Sequence, residues 1–397
     1  MPSFPAPCST LPTLEAAFNP VIAAERTLML WGDADRPLSA DKELVLSIQF
    51  LLAFRNSKDT YNTYRKEIEK LILWCWTVNK SSILGIDSRK AEEFVEFCAS
   101  PPKEWIADSN YRRYENNEPS KKWRPFVSAT KEYKASTNVI YSIFAAMNSF
   151  YDYLIEYGAA TYHPFRSIRQ KSKFVTKVMH TKVKRFSNNH MDILFRLVDD
   201  LCLEEPQKYE RTRWICYLLL NLYLRISELV HDNRSSPMMS DFYTDDIGNT
   251  WLTVIGKGNK KRDVSVSEIV IKAMARYREF LGLSEFPLQG EQTPLVPLTR
   301  SLIKPIQSTR QIRRIMEDVF IQAADLIEID EGKQSSEEFL SGTVHWLRHT
   351  GISEDVKHRP KEHVKDDAGH NSLATTERYI DIEKAERAES KNWKARK

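Results

Sequence analysis

Three things are scarce in this 397-residue chain: cysteine, unbroken apolar sequence and an excess of one charge. The five cysteines (Cys8, Cys75, Cys98, Cys202 and Cys216) form no close pair. An odd, dispersed set argues against a disulfide framework or a cysteine zinc site and fits a reducing compartment. The longest greasy run, residues 214–220, is interrupted by Asn221 and preceded by Arg211 and Arg213. It falls far short of the ~20 residues that a membrane span needs. Residues 1–14 carry four prolines and no basic residue, unlike a secretion signal. A soluble, cytoplasmic protein with no membrane partner is expected. The net charge of +4 permits a polyanionic partner without demanding one, so the placement of charge matters more than its sum. A hydrophobic fraction of 42% suits globular cores, and the length suits two domains with extensions.

No β-period is evident before residue 160, so the first domain is expected to be all-helical. Residues 1–45 read as a partly disordered extension, a Pro-rich tail followed by a short helical or irregular segment. From the caps Ser57 and Asp59, apolar residues Tyr61, Tyr64, Ile68, Leu71, Ile72 and Cys75 recur at helical spacing. A second amphipathic helix is expected over 136–157, where Val139, Ile140, Ile143, Phe144, Met147, Phe150, Tyr151 and Leu154 share a stripe. A polar, loop-rich stretch lies around 101–124. After His163 and Pro164 comes a one-signed segment: Arg166, Arg169, Lys171, Lys173, Lys177, Lys182, Lys184 and Arg185, with no acid among them. Such a run serves equally as a solvated linker or as a tracker of DNA phosphates.

The second half opens with helices expected over 189–203 and 209–224. Two β-branched runs, WLTVI at 251–255 and DVSV at 263–266, flank the basic turn GKGNKKR and predict a hairpin. From 267 onward the pattern is helical again, broken by a loop over 283–305.

Several places hold residues suited to phosphate chemistry. Arg225 ends a strongly apolar helix, where it either pairs with an acid such as Glu228 or aims its planar fork at a phosphate. Lys257 sits between two glycines on the hairpin turn, beside Lys260, Lys261 and Arg262. It is either part of a soluble tip or a proton donor to a leaving oxygen. His345 and Arg348 are three apart and share a helix face. The histidines at 345, 349, 358, 363 and 370 match no common zinc pattern, so no metal site is expected. His370 precedes Tyr379 by nine positions. A tyrosine with its ordinary pKa of ~10 is a poor nucleophile unless cations surround it.

Taken in order, these fragments resemble the tyrosine recombinase (phage integrase) family. LRISEL at 224–229 resembles the family's first arginine box, HWLRHT at 345–350 its second, and GHNSLATTERY at 369–379 its last. The first half is similar to the family's core-binding domain through Ser57, Thr60, Tyr64, Ile68, Leu71 and Trp74, then FYDYL at 150–154. Two departures stand out. Tyr223 replaces the glycine usual before the first box, and residues 354–367 are polar where the family has apolar helices.

The resemblance implies a mainly α fold with a small β-sheet (α+β). A helical SAM-like core-binding domain over 46–165 and a basic linker over 166–186 would precede a catalytic domain over 187–385 and a tail over 386–397. It implies the catalytic set Arg225, Lys257, His345, Arg348, His370 and Tyr379. Tyr379 would attack a phosphodiester to form a 3′-phosphotyrosyl bond. Arg225 and Arg348 would hold the non-bridging oxygens, Lys257 would protonate the leaving 5′-oxygen, His345 would serve as base and His370 as a hydrogen-bond donor. No cofactor is implied, since two arginines supply the charge a metal would bring. Partners would be double-stranded DNA at the nucleoid, three further copies of the chain, and an accessory recombinase or directionality factor. The basic linker, with Lys260, Lys261 and Arg262, would contact DNA and help two domains clamp a duplex. A type IB topoisomerase using the same chemistry and a non-catalytic DNA-binding regulator are the competing readings.

Overall fold

The computed structural model describes residues 19–31, 36–116, 118–130, 132–171, 183–232, 235–256, 259–298 and 301–379. The chain divides into two compact units, Met1–Met179 and His180–Lys397.

The first unit is built on helices α1 (Pro20–Trp31), α2 (Ala40–Leu52), α3 (Lys58–Leu73), α4 (Ser88–Ala99), α5 (Thr137–Glu156) and α6 (Pro164–Lys171). Ser57 precedes α3 as expected, and α3 continues into a π-turn over Trp74–Val78. Ser136 caps α5 by accepting from the Val139 amide. The predicted stripes are buried: Tyr61, Ile68, Leu71 and Ile72 from α3, and Ile140, Ile143, Phe144, Met147, Phe150, Tyr151 and Leu154 from α5.

Two boundaries and the strand content differ from expectation. The division at residue 45 cuts through α2, whose Leu44, Leu46, Ile48, Phe50 and Leu51 are core residues. Buried Glu43 ties α2 to the rest, because its carboxylate accepts from Trp76 Nε1 at 2.8 Å and from Ser39 Oγ at 2.6 Å. Residues 164–171 are helix rather than linker, with Phe165 and Ile168 buried in the same core. The unit is also not wholly helical. Within the polar stretch, β1 (Ile106–Ala107) pairs in parallel with β4 (Phe126–Val127), and β2 (Tyr114–Glu115) antiparallel with β3 (Glu118–Pro119). Two-residue strands are too short to show alternation in sequence, yet they satisfy backbone groups beside the core.

The second unit opens with α7 (Asn188–Glu204) and α8 (Pro206–Asn221). Ser187 caps α7, and a proline occupies the first turn of α8 where its missing N–H costs nothing. The predicted hairpin is present and gains a third strand. Strands β5 (Phe242–Thr244), β6 (Thr250–Ile255) and β7 (Lys261–Ser265) form an antiparallel sheet with Leu252 opposite Val264. Helix α9 (Glu268–Phe280) follows. The stretch expected as a loop over 283–305 instead contains a second hairpin, β8 (Pro297–Leu298) with β9 (Ser301–Pro305). Both of its ends are prolines, which disguise a strand in sequence because proline lacks the ladder donor. Helices α10 (Thr309–Glu331), α11 (Lys333–Leu340), α12 (Val344–Asp355), α13 (Lys361–Ala368) and α14 (Leu373–Glu377) complete the unit. Among the described residues no helix is long and apolar enough to cross a membrane.

A fully buried guanidinium, Arg278 on α9, organises the loop before β8. It donates to both carboxylate oxygens of Glu291 at 2.8 Å and to the Ser284 carbonyl at 2.6 Å. These hydrogen bonds from Arg278 draw the Glu291 carboxyl down to about 2. Removing one partner strands a buried charge, so Glu291→Ala is expected to cost about 3 kcal/mol at pH 7 in urea denaturation. The folded carboxyl titrates below the unfolded one. The pair's contribution is therefore complete above an unfolded pKa of ~4.3 and drains as pH falls towards 2. Equal stability of variant and wild type at pH 7 would contradict this account.

Candidate active site

The site is assembled where α8 ends. The chain leaves α8 through Tyr223, a non-glycine residue with φ of +49°, and so turns Arg225 back towards α12 and α13. The ring of Tyr223 is fully buried among Ile352, Val356, Val364, Ala368 and Tyr379. An aromatic ring thus becomes a wall of the site. The polar stretch 354–367 contributes to the same wall through Val356 and Val364. Its charged residues brace the wall from behind. Arg359 donates to Asp367 at 2.6 Å and to the Tyr223 hydroxyl at 3.0 Å, while Asp367 also accepts from Ser265 Oγ at 2.6 Å. Burial opposes charge on Arg359, but Asp367 outweighs it and holds the guanidinium protonated more firmly than usual.

Arg225 and Arg348 are the cations of the site. Arg225 donates from its backbone N–H and from NH1 to the two oxygens of Glu228, at 2.8 and 2.9 Å, and from NH2 to the Gly369 carbonyl at 3.0 Å. Gly369 ends α13 with φ of +63°, the left-handed cap that glycine adopts without a Cβ penalty, and this aims its carbonyl at Arg225. Arg348, only 2% exposed, donates to the carbonyls of Tyr223 and Ala368 and approaches His370 Nε2 at 3.4 Å. Burial and the neighbouring Arg225 push its pKa down to about 9, so it still carries its charge at neutral pH.

Glu228 connects Arg225 to the sheet. Besides holding Arg225, it receives Arg262 from β7 on both oxygens, at 2.9 and 2.8 Å. Burial raises the Glu228 carboxyl, but Arg262 and Arg225 together hold it below its ordinary value. The expected ion pair of Arg225 with Glu228 is thus present. Arg262, however, is committed to Glu228 and the Asp367 carbonyl rather than turned outward to a DNA partner.

Tyr379 lies just after α14 and is 7% exposed. Its ring stacks on His370, with centroids 5.6 Å apart, and on His349, 5.4 Å apart. Burial pushes the phenol pKa up; Arg348, Arg378 and Arg225 pull it down, and burial prevails. The phenol is therefore protonated at rest, and its proton needs an acceptor. The histidine within reach is His349, whose Nδ1 lies 2.8 Å from Tyr379 Oη. His345, the expected base, instead makes an edge contact with the His349 ring at 4.4 Å. Residues 345, 348 and 349 share one face of α12, and spacing alone does not reveal which histidine meets a tyrosine on another helix. His370 Nδ1 pairs with Thr376 Oγ1 at 2.9 Å.

Burial, then His345, lowers the His349 pKa to about 4; burial, then Arg348, does the same for His370. Both rings are neutral in the fold, whereas an unfolded histidine titrates near ~6.5. Their contribution to stability is complete above pH ~6.5 and is lost as pH falls towards 4, because the unfolded chain takes up protons first. Urea midpoints are expected to fall from pH 7 to 5, and His370→Gln to flatten that slope. An unchanged slope would refute the account.

Lys257 lies outside the described residues. Its flank Gly256 donates to the Lys260 carbonyl at 2.8 Å, and a Cβ on Gly256 would stand 3.2 Å from Glu228 Oε1, so the turn begins beside the arginine network. Lys260 and Lys261 are exposed. Of the basic linker, Lys173, Lys177 and Lys182 lie outside the described residues, and the side chains of Arg169 and Lys171 are likewise not described. Arg166 pairs with Asp152 at 2.6 Å, Arg185 approaches Glu354 at 3.7 Å, and Lys184 sits 5.9 Å over the Trp346 ring.

No family model matches the chain. Among curated proteins it is 28% identical over 257 residues to the tyrosine recombinase XerC of Caldanaerobacter subterraneus subsp. tengcongensis, covering 62% of this chain and 60% of that relative. To the XerC of Staphylococcus saprophyticus it is 26% identical over 239 residues, covering 60% of this chain and 69% of the relative. Among solved structures, the XerH site-specific recombinase bound to palindromic difH substrate superposes with a TM-score of 0.56 at 15% identity, covering 96% of this chain and 92% of that one. The Tn1549 transposon integrase with transposon right end DNA gives 0.51 at 13% identity, covering 89% and 99%. The chain is thus similar to tyrosine recombinases in sequence and shares the fold of the XerH recombinase, mainly helical with small sheets.

Proposed function

We propose that this chain is a site-specific DNA recombinase or integrase that cuts and rejoins strands through a 3′-phosphotyrosyl intermediate. The observation that carries the reading is the enclosure of one tyrosine hydroxyl by a neutral imidazole at 2.8 Å and by a cluster containing two arginines. Tyr379 Oη attacks the scissile phosphorus and the P–O5′ bond breaks. Arg225 and Arg348 hold the non-bridging oxygens and stabilise the charge that builds on them in the transition state. Lys257 supplies the proton to the departing 5′-oxygen, and His370, fixed by Thr376, braces Arg348 and the phosphate. The bond energy is kept in the protein–DNA linkage until a new 5′-hydroxyl attacks it. Exchange between two duplexes uses one Tyr379 per strand, hence four copies of the chain, with exposed Lys260 and Lys261 and the basic segment after Arg166 contacting backbone phosphates.

The test is covalent trapping. Randomised duplexes bearing a central nick are incubated with the full chain, and SDS-resistant adducts are recovered and sequenced. Enrichment of one sequence joined at Tyr379 is expected. Relaxation of supercoiled plasmid without any sequence preference would favour a topoisomerase instead. Absence of any adduct would overturn the reading.

A further inference from the structure

We propose that His349, through Nδ1, is the catalytic base that takes the phenolic proton of Tyr379 during cleavage and returns it during rejoining. The inference rests on the recombinase reading above. It assigns a function to a residue outside the set Arg225, Lys257, His345, Arg348, His370 and Tyr379.

The geometry brings one imidazole nitrogen within hydrogen-bond reach of the phenol. Tyr379 has a single O–H, and the half-buried His349 ring presents Nδ1 to it at 2.8 Å. Groups facing His349 are His345 and Arg348 on its own helix, His370 from the segment after α13, and the phenol itself. The charged ones are cationic, so the ring is neutral; in its Nε2–H tautomer Nδ1 accepts and Tyr379 donates, which is the arrangement the proposal requires. His345 shows no comparable bond to Tyr379; its described contact is the edge of the His349 ring.

The same cations explain why the proton moves only when substrate is present. Without DNA they oppose a charged imidazole. A phosphodiester held by Arg225 and Arg348 brings negative charge to the cluster, which offsets those cations and raises the proton affinity of His349. As Oη bonds to phosphorus and the P–O5′ bond breaks, the proton passes from Oη to Nδ1 while the leaving 5′-oxygen is protonated separately. In rejoining, the 5′-hydroxyl attacks and returns its proton to the Lys257 amine that had supplied it, the P–Oη bond breaks, and His349 gives its proton back to the tyrosinate. Electrons and protons balance over the cycle, and no further reactant is needed.

The experiment measures the single-turnover rate of adduct formation against pH, on a nicked duplex recovered by trapping with wild-type chain. Variants are His349→Gln, which keeps a hydrogen-bond acceptor but cannot take a proton, and His349→Ala with and without added imidazole. His349→Gln is expected to slow cleavage about 100-fold at pH 7. Its rate should climb with pH as solvent base takes over, where the wild-type rate is level. Imidazole should restore part of the His349→Ala rate. A His349→Gln rate within threefold of wild type, or a slow rate with the wild-type pH profile and no imidazole rescue, overturns the proposal and leaves the recombinase reading standing. If His345→Gln and not His349→Gln acquires the steep profile, the base is His345. If wild-type chain traps no duplex, the recombinase reading fails and this inference with it.

Discussion

A chain carrying Tyr379→Phe is expected to bind duplex DNA as wild type does and to form no SDS-resistant adduct. The loss should reach about 10⁴-fold or more, the scale seen when a nucleophile is removed from a group that acts as a unit. The substitution deletes one oxygen. The ring keeps its stacking on His370 and His349 and its place among Tyr223, Ile352, Val356 and Val364. The cost is one hydrogen bond to His349, worth about 1 kcal/mol, partly repaid because a phenolic O–H no longer has to be buried. Stability should therefore stay within about 1 kcal/mol of wild type. Gel-shift affinity, thermal melting and adduct yield measured together separate the chemical effect from a folding one. Adduct formation by Tyr379→Phe would mean that another residue is the nucleophile.

The largest effect on stability is expected from Gly351→Ala, a change of one methyl group. Gly351 lies on α12 where that helix crosses the end of α8. A Cβ there would overlap the Leu220 carbonyl oxygen, stand 2.9 Å from its carbon and meet Tyr223 Cδ1 at 3.3 Å. The obstructing atoms are mostly backbone, so no rotamer change relieves them, and the two helices must separate. A loss above about 4 kcal/mol is expected, more than the ~1–3 kcal/mol of ordinary overpacking because the obstruction is backbone. Activity should fall further than the folded fraction does, because α12 carries His345, Arg348 and His349 while the end of α8 leads into Tyr223 and Arg225. Ile352→Val, next in sequence and fully buried, is the control, at about 1 kcal/mol. Denaturation of the Gly351→Ala chain at wild-type urea concentrations would show that the helices yield where the packing says they cannot.

Much of the site was legible because its residues are tied to local spacing. Arg225 and Glu228 are three apart around one turn, His345 and Arg348 three apart on one helix, and Tyr379 follows a glycine-capped helix by a short segment. What stayed hidden depends on how separate elements meet. Whether His345 or His349 reaches Tyr379 is fixed by where α14 lies, and no pattern within α12 encodes that. Arg262 read as a DNA contact because its neighbours are lysines, but strand alternation turns it from exposed Lys261 towards Glu228. The charged segment over 354–367 concealed Val356 and Val364, two apolar residues in a row of ionic ones. In the first unit, α2 follows a Pro-rich stretch and carries a buried acid, Glu43, whose partners Trp76 and Ser39 only the fold supplies, so its apolar spacing from Leu44 to Leu51 was masked. The hairpin of β8 and β9, bounded by Pro297 and Pro305, lacks the alternation that marked β6 and β7.

The burial of Tyr379 bears on fidelity. A phosphodiester that brushes the surface of this protein meets a phenol that is covered, protonated and bonded to His349. If Tyr379 is the nucleophile, as proposed, accidental nicking would require this cover, which includes Tyr223 and Val364, to give way first. On that reading, the packing that keeps the phenol unreactive in isolation would restrict breakage to the DNA that can draw it out.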